Sequence, residues 1–151
     1  MNILVLNGPN VNMVGIREPH MYGSTSLADI NRHLERVALE LTDVQIEFFH
    51  SNYEGAIVDR IQAGHGQGLA GAIVNPGGLT HYSVALHDAI KSVDYRFVEV
   101  HITNIQAREE WRHHSMISAA VVGTVAGLGW RGYELALRYL VSAAREESPR
   151  H

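Results

Sequence analysis

Residues 1–10 read MNILVLNGPN, and the break inside this segment decides the fold. Ile3, Leu4, Val5 and Leu6 form an unbroken apolar run that reads as a buried strand. Asn7-Gly8-Pro9-Asn10 ends it abruptly with residue types that favour turns. The longer stretch LNGPNVNMVGIREPHMYGSTS, residues 6–26, is too rich in Asn, Gly and Pro for a regular helix or strand, so it is expected to be a loop.

Beyond the loop the pattern changes period. Leu27, Ile30, Leu34, Val37 and Leu41 follow 3,4,3,4 spacing and mark one face of a helix, with Ser26 and Asp29 as its N-cap signature. Val44, Ile46 and Phe48 then alternate with polar residues as a half-buried strand does, and Ala56, Ile57 and Ile61 suggest a second helix. A third unit combines a strand at Ala70–Val74 with a helix around Val84–Ile90. A fourth has a strand at Phe97–Ile102 and a short charged segment, Arg108–Arg112. A fifth has a strand at Ala119–Ala126 and a helix from Arg131 to Ser142, leaving a polar tail from about residue 144 that is expected to fray. Five β-α units predict an α/β, flavodoxin-like single domain: a five-stranded parallel sheet with helices on both faces.

Composition sets outer bounds. With 151 residues, 46% hydrophobic and 19% charged, the chain suits one compact soluble domain. A net charge of −4 argues against a general nucleic-acid binder, whereas local arginines can still hold a small anion. There is no cysteine, which excludes disulfides and thiolate chemistry. No apolar stretch approaches the roughly 18–20 residues of a membrane span, and the opening segment has no basic n-region, so a cytoplasmic protein without membrane contact is expected.

A parallel sheet binds ligands beyond the C-terminal ends of its strands. Here those ends carry Asn7-Gly8-Pro9-Asn10, then Asn75-Pro76-Gly77-Gly78-Leu79-Thr80-His81, then Glu99-Val100-His101-Ile102-Thr103-Asn104. Amides, glycines, imidazoles and hydroxyls therefore gather on one rim, where glycine lets backbone N–H groups come close to a ligand. His101 is the residue type suited to proton transfer near neutral pH, and the Ile102 N–H and Thr103 hydroxyl after it can hold a carboxylate. The remaining histidines lack metal-ligand spacing, and no H-E-x-x-H is present, so no metal is expected. His20, His33, His65 and His151 read as surface residues. Gly77-Gly78-Leu79-Thr80 lacks the lysine of a P-loop, Gly123 to Gly129 lacks the first-strand context of a dinucleotide site, and there is no G-x-S-x-G.

Four ordered blocks resemble the type II 3-dehydroquinate dehydratases. LNGPNVNMVGIREPHMYGSTS is similar to that family's first-strand loop and catalytic lid, and NPGGLTHYSVALHDA to its substrate loop and third helix. EVHITNIQAREEWRHHS is similar to the segment with the catalytic histidine, and GLGWRGYELAL to the final helix. The resemblance implies trans-dehydration of 3-dehydroquinate to 3-dehydroshikimate through an enolate, in the shikimate or quinate pathway. It implies no metal or organic cofactor, and trimers assembled into a dodecamer. It implies Tyr22 as the base with Arg17 beside it, Asn10 at a water or the enolate, and His101 as general acid. Asn75, His81, Ile102, Thr103 and Arg112 would grip the substrate, with Gly77 and Gly78 in support. Asp88 would reach a neighbouring subunit's site, and Glu99 would orient His101. Tyr82, His87, Val11, Met13 and Val14 depart from the family's usual residues.

The chemistry is consistent in magnitude. Ionising a tyrosine of pKa about 10 at pH 8 costs about 2.7 kcal/mol. A guanidinium about 4 Å away contributes roughly 4 kcal/mol at an effective dielectric of about 20. Residues 99 and 101 share a strand face, so a carboxylate can meet the imidazole. Two rival readings fit the same residues: a flavodoxin-like module binding a nucleotide or flavin, and a lyase or isomerase acting on another hydroxy-ketoacid.

Overall fold

A computed structural model describes residues 1–16 and 18–148, apart from the side chain of Tyr22. Arg17 and His151 lie outside the described residues, as does the end of the tail. The five strands are β1 (Asn2–Asn7), β2 (Gln45–His50), β3 (Gly71–Asn75), β4 (Phe97–His101) and β5 (Gly123–Ala126). All pairings are parallel, in the order β2-β1-β3-β4-β5. The helices are α1 (Pro19–Tyr22), α2 (Leu27–Leu41), α3 (Glu54–Ala63), α4 (Val84–Lys91) and α5 (Arg131–Glu147).

The apolar run of β1 lies between two cores. Ile3 and Val5 pack with Ile30, Leu34 and Val37 of α2 and with Leu137 and Leu140 of α5. Leu4 and Leu6 point the other way, against Ile57 and Ile61 of α3 and Leu86 and Ile90 of α4. Period-two alternation within an all-apolar run is what a strand covered on both faces requires. The Ser26 cap of α2 is complete: its hydroxyl accepts from the Asp29 N–H, while the Asp29 carboxylate accepts from the Ser26 N–H.

Three expectations need correction. The residue 6–26 stretch is not all loop, because Pro19 starts one helical turn, Pro19–Tyr22, where its missing N–H costs nothing. Residues Ser118–Ala120 form a 3-10 turn, and the last strand begins only at Gly123. The final helix runs past Ser142 to Glu147, where the Glu147 carboxylate accepts from Arg96 and ties the helix end to the strand below. So residues 144–147 are not a frayed tail. Among the described residues no helix is long and apolar enough to cross a membrane.

Candidate active site

The strand order reverses direction between β1 and β3, and a cleft opens there beyond the strand ends. Its first wall is Pro9, Asn10, Val11 and Val14 after β1. Its second is Asn75, Gly77, Gly78 and His81 after β3, and its third is His101, Ile102 and Thr103 after β4. Ile105, Arg108, Trp111 and Arg112 close the far side.

Two glycines let the first two walls meet. The Gly8 N–H donates to the Asn75 carbonyl at 2.8 Å, and a Cβ on Gly8 would sit 2.4 Å from the Pro76 carbonyl oxygen. Gly77 has a φ of +60°, and its Cβ would lie 2.5 Å from the Pro9 carbonyl oxygen. Side chains at either position would push the loops apart.

The most fully hydrogen-bonded group is at the end of β4. Glu99 is fully buried, and its Oε1 accepts from His101 Nε2 at 2.6 Å and from the Ser115 hydroxyl at 2.8 Å. Its Oε2 accepts from the Ser118 hydroxyl at 2.6 Å and from Thr124 at 3.3 Å. Burial alone would raise this carboxyl group, yet the bonds from His101, Ser118 and Ser115 outweigh it and hold Glu99 below the ordinary carboxylate range. With Nε2 donating to Glu99, Nδ1 is the ring nitrogen left for the cleft. The expected pairing of residues 99 and 101 is present.

His81 is set differently. Its Nδ1–H donates to the His114 carbonyl at 2.8 Å, which leaves Nε2 as an acceptor in the neutral ring. Burial depresses its basicity, aided by the nearby Arg112 and against the His114 hydrogen bond, so His81 is neutral near pH 7. The His81 ring meets Trp111 edge-on at 5.6 Å, and the Arg112 guanidinium lies 4.1 Å above the same indole. Arg112 Nε also donates to Glu109 at 2.6 Å. One aromatic ring thus organises two of the polar groups facing the cleft.

Of the predicted site residues, the cleft brings together Asn10, Asn75, Gly77, Gly78, His81, His101, Ile102, Thr103 and Arg112. Asp88 is outside it, on the exposed side of α4. The turn carrying Tyr22 stands by an adjoining hollow, in which Met21 and Gly23–Thr25 face Ile102, Thr103 and Arg108. Arg17 lies outside the described residues.

Sequence reading missed Arg108 and Trp111. Arg108 was visible only as the start of a charged segment, but its guanidinium is nearly buried and donates to the Thr103 hydroxyl at 3.4 Å. His33 was expected at the surface. Instead it is half-buried, with Nε2 2.5 Å from Glu134 and its ring edge-on to Trp130 at 4.6 Å. Among the described residues no group of three or more His, Asp or Glu side chains is placed to hold a metal ion.

The family profile described as Dehydroquinase class II matches residues 1–141. The chain belongs to the class II dehydroquinase family. It is 51% identical over 141 residues to 3-dehydroquinate dehydratase 1 of Ralstonia nicotianae, covering 93% of this chain and 90% of that protein. Over 140 residues it is 54% identical to 3-dehydroquinate dehydratase of Endomicrobium trichonymphae, covering 93% and 96% respectively. The crystal structure of type II dehydroquinase from Butyrivibrio crossotus superposes with a TM-score of 0.89 at 40% identity, over 93% of this chain and 97% of that one. The flavodoxin-like parallel sheet is therefore the family's fold.

Proposed function

We propose that this chain removes water from 3-dehydroquinate to give 3-dehydroshikimate, with Tyr22 as base and His101 as general acid. The observation that carries the reading is the His101–Glu99 pair on the cleft floor of a class II dehydroquinase. An acid that protonates a leaving hydroxyl needs a ring held in one orientation, and the buried Glu99 carboxylate, accepting from His101 Nε2 at 2.6 Å, holds it so and faces it with a negative charge.

The steps follow from the chemistry of a β-hydroxy ketone. The Tyr22 phenolate, kept accessible by the Arg17 guanidinium, takes the proton α to the ketone. Charge passes to the carbonyl oxygen, where Asn10 stabilises the enolate directly or through a water. The enolate collapses, the bond from the β carbon to its hydroxyl oxygen breaks, and His101 gives its proton so that water leaves. Solvent then returns the Tyr22 proton to His101. Asn75, neutral His81, the Ile102 N–H, Thr103 and Arg112 hold the substrate's hydroxyls and carboxylate, with the backbone at Gly77 and Gly78 forming the wall beside them. Asp88 serves the site of a neighbouring subunit, within trimers that build a dodecamer.

The test is ultraviolet absorbance from the conjugated enone after 3-dehydroquinate is added to purified protein, with and without a chelator. A rise at the same rate in both is expected. A flat trace would sink the activity, and a trace flattened only by chelator would sink the metal-free mechanism.

A further inference from the structure

Beneath the cleft lie three buried polar side chains, Asn7, Asn75 and Tyr133, of which Tyr133 is completely enclosed. Asn7 and Asn75 are register partners at the ends of β1 and β3, and Tyr133 sits in the first turn of α5. Asn75 Nδ2 donates to the Tyr133 hydroxyl at 2.8 Å, and that hydroxyl donates to Asn7 Oδ1 at 2.7 Å. On its other side, Asn75 Oδ1 accepts from the Gly77 N–H at 3.2 Å.

A phenol has one proton. Spent on Asn7, it leaves the Tyr133 oxygen only an acceptor's role toward Asn75. Burial pushes this phenol far above its usual range, against the Asn75 hydrogen bond, so the proton stays on the ring oxygen. The direction of the whole chain is then set. A flipped Asn75 would turn its NH2 onto the Gly77 N–H, donor against donor, and would draw the hydroxyl proton away from Asn7.

We propose that Tyr133 is a positioning residue: anchored by Asn7, it holds the Asn75 amide in one orientation, with the second Nδ2 hydrogen offered to an acceptor oxygen of the substrate. The group received is a hydroxyl or carboxylate oxygen. This rests on the reading that Asn75 grips 3-dehydroquinate. Nothing in it requires Tyr133 to touch substrate or to move a proton.

Tyr95 provides the control. It is also buried, its hydroxyl donates to the Ile61 carbonyl at 2.7 Å, and it belongs to the core on the opposite sheet face. Tyr133→Phe and Tyr95→Phe each delete one buried hydroxyl. For Tyr133→Phe, KM should rise about tenfold with kcat within about threefold, the signature of lost binding rather than lost chemistry. Tyr95→Phe should leave KM within about twofold, and in an Asn75→Ala background Tyr133→Phe should add less than about twofold, because the two act as one unit. An unchanged KM in Tyr133→Phe, or effects that multiply fully in the double variant, overturns the proposal. If Tyr133→Phe does not fold, Asn7→Leu keeps the volume and removes the anchor, and an unchanged KM there overturns it equally. Wild-type turnover is measured first: its absence breaks the functional reading and takes this inference with it, whereas an active wild type leaves the variants to decide.

Discussion

Two of the cleft's walls, the one after β4 and the one after β1, are built on opposite plans. At the end of β4, Glu99 is fully buried and takes hydrogen bonds from His101, Ser115, Ser118 and Thr124. At the end of β1, the chain runs through a segment where Asn10 and Glu18 take left-handed φ values of 70° and 41°, and where Met13, Ile16 and Met21 are exposed. A buried carboxylate is tolerated only when donors surround it, and a strand end facing a folded-back loop can gather four of them. The wall assigned to give a proton is thus packed in advance. The wall assigned to take one rests on backbone turns and one short helix.

The largest effect should come from the wall that follows β1. Tyr22→Phe removes the proposed base without a change in shape, so turnover should fall by about 10³-fold while ligand affinity and melting temperature stay near wild type. Steady-state rates with titration calorimetry check this, and a near-normal rate would rule Tyr22 out as the base. Such a result would also reverse the contrast, leaving the packed wall with all of the proton chemistry.

Glu99→Gln probes the packed wall and should show both a kinetic and a stability cost. Turnover should fall by about 10²-fold, because the imidazole loses the partner that fixes its donor. Stability at pH 7 should fall by about 2 kcal/mol, since Ser115, Ser118 and His101 lose a charged acceptor. The pH dependence has a definite sign. The folded Glu99 carboxyl is held below its ordinary value of 4.5, so its stabilisation is complete above that value and is lost as pH falls through the lower folded value. Urea denaturation at pH 7 and at pH 3 should therefore show the gap between wild type and variant closing in acid. A constant gap would mean that Glu99 contributes through packing alone.

These walls also differ in how well the sequence foretold them. The β-α alternation is legible because apolar periodicity reports burial directly: Leu27 to Leu41 marks α2 to the residue, and Phe97 to Ile102 marks the strand under the dyad, which ends one residue earlier at His101. Helix ends and weak strands were less legible. Nothing local distinguishes Ala144 and Glu147 from a loose tail, because the contact that holds them comes from Arg96, far away in sequence. Ala119 and Ala120 read as the start of a strand by composition, but they belong to a 3-10 turn whose first residue, Ser118, donates its hydroxyl to Glu99. Arg108, Trp111 and His33 were missed for the same reason. Their roles depend on partners at Thr103, His81 and Glu134, brought near by the 3-10 turns after β4 or by α2–α5 packing.

The smallest effect should come from Arg17→Lys, and it is the most selective test of why a tyrosine serves as a base. Lysine keeps the positive charge, so a role as simple counter-ion would leave the pH profile in place. It loses the planar fork of five donors, which can bracket a phenolate and stay charged at any accessible pH. If the fork is what stabilises the phenolate, the pH at which the rate reaches its plateau should move up by about half to one unit, a three- to tenfold loss on the acid side of that limb. At high pH the rate should recover, because an unassisted phenol ionises there without help. A lower rate at every pH, with the limb unmoved, would assign Arg17 to substrate binding. The activation of Tyr22 would then have to come from another cation, and Arg108, nearly buried beside Thr103 and lining the same hollow as Met21 and Gly23, is the one to test next.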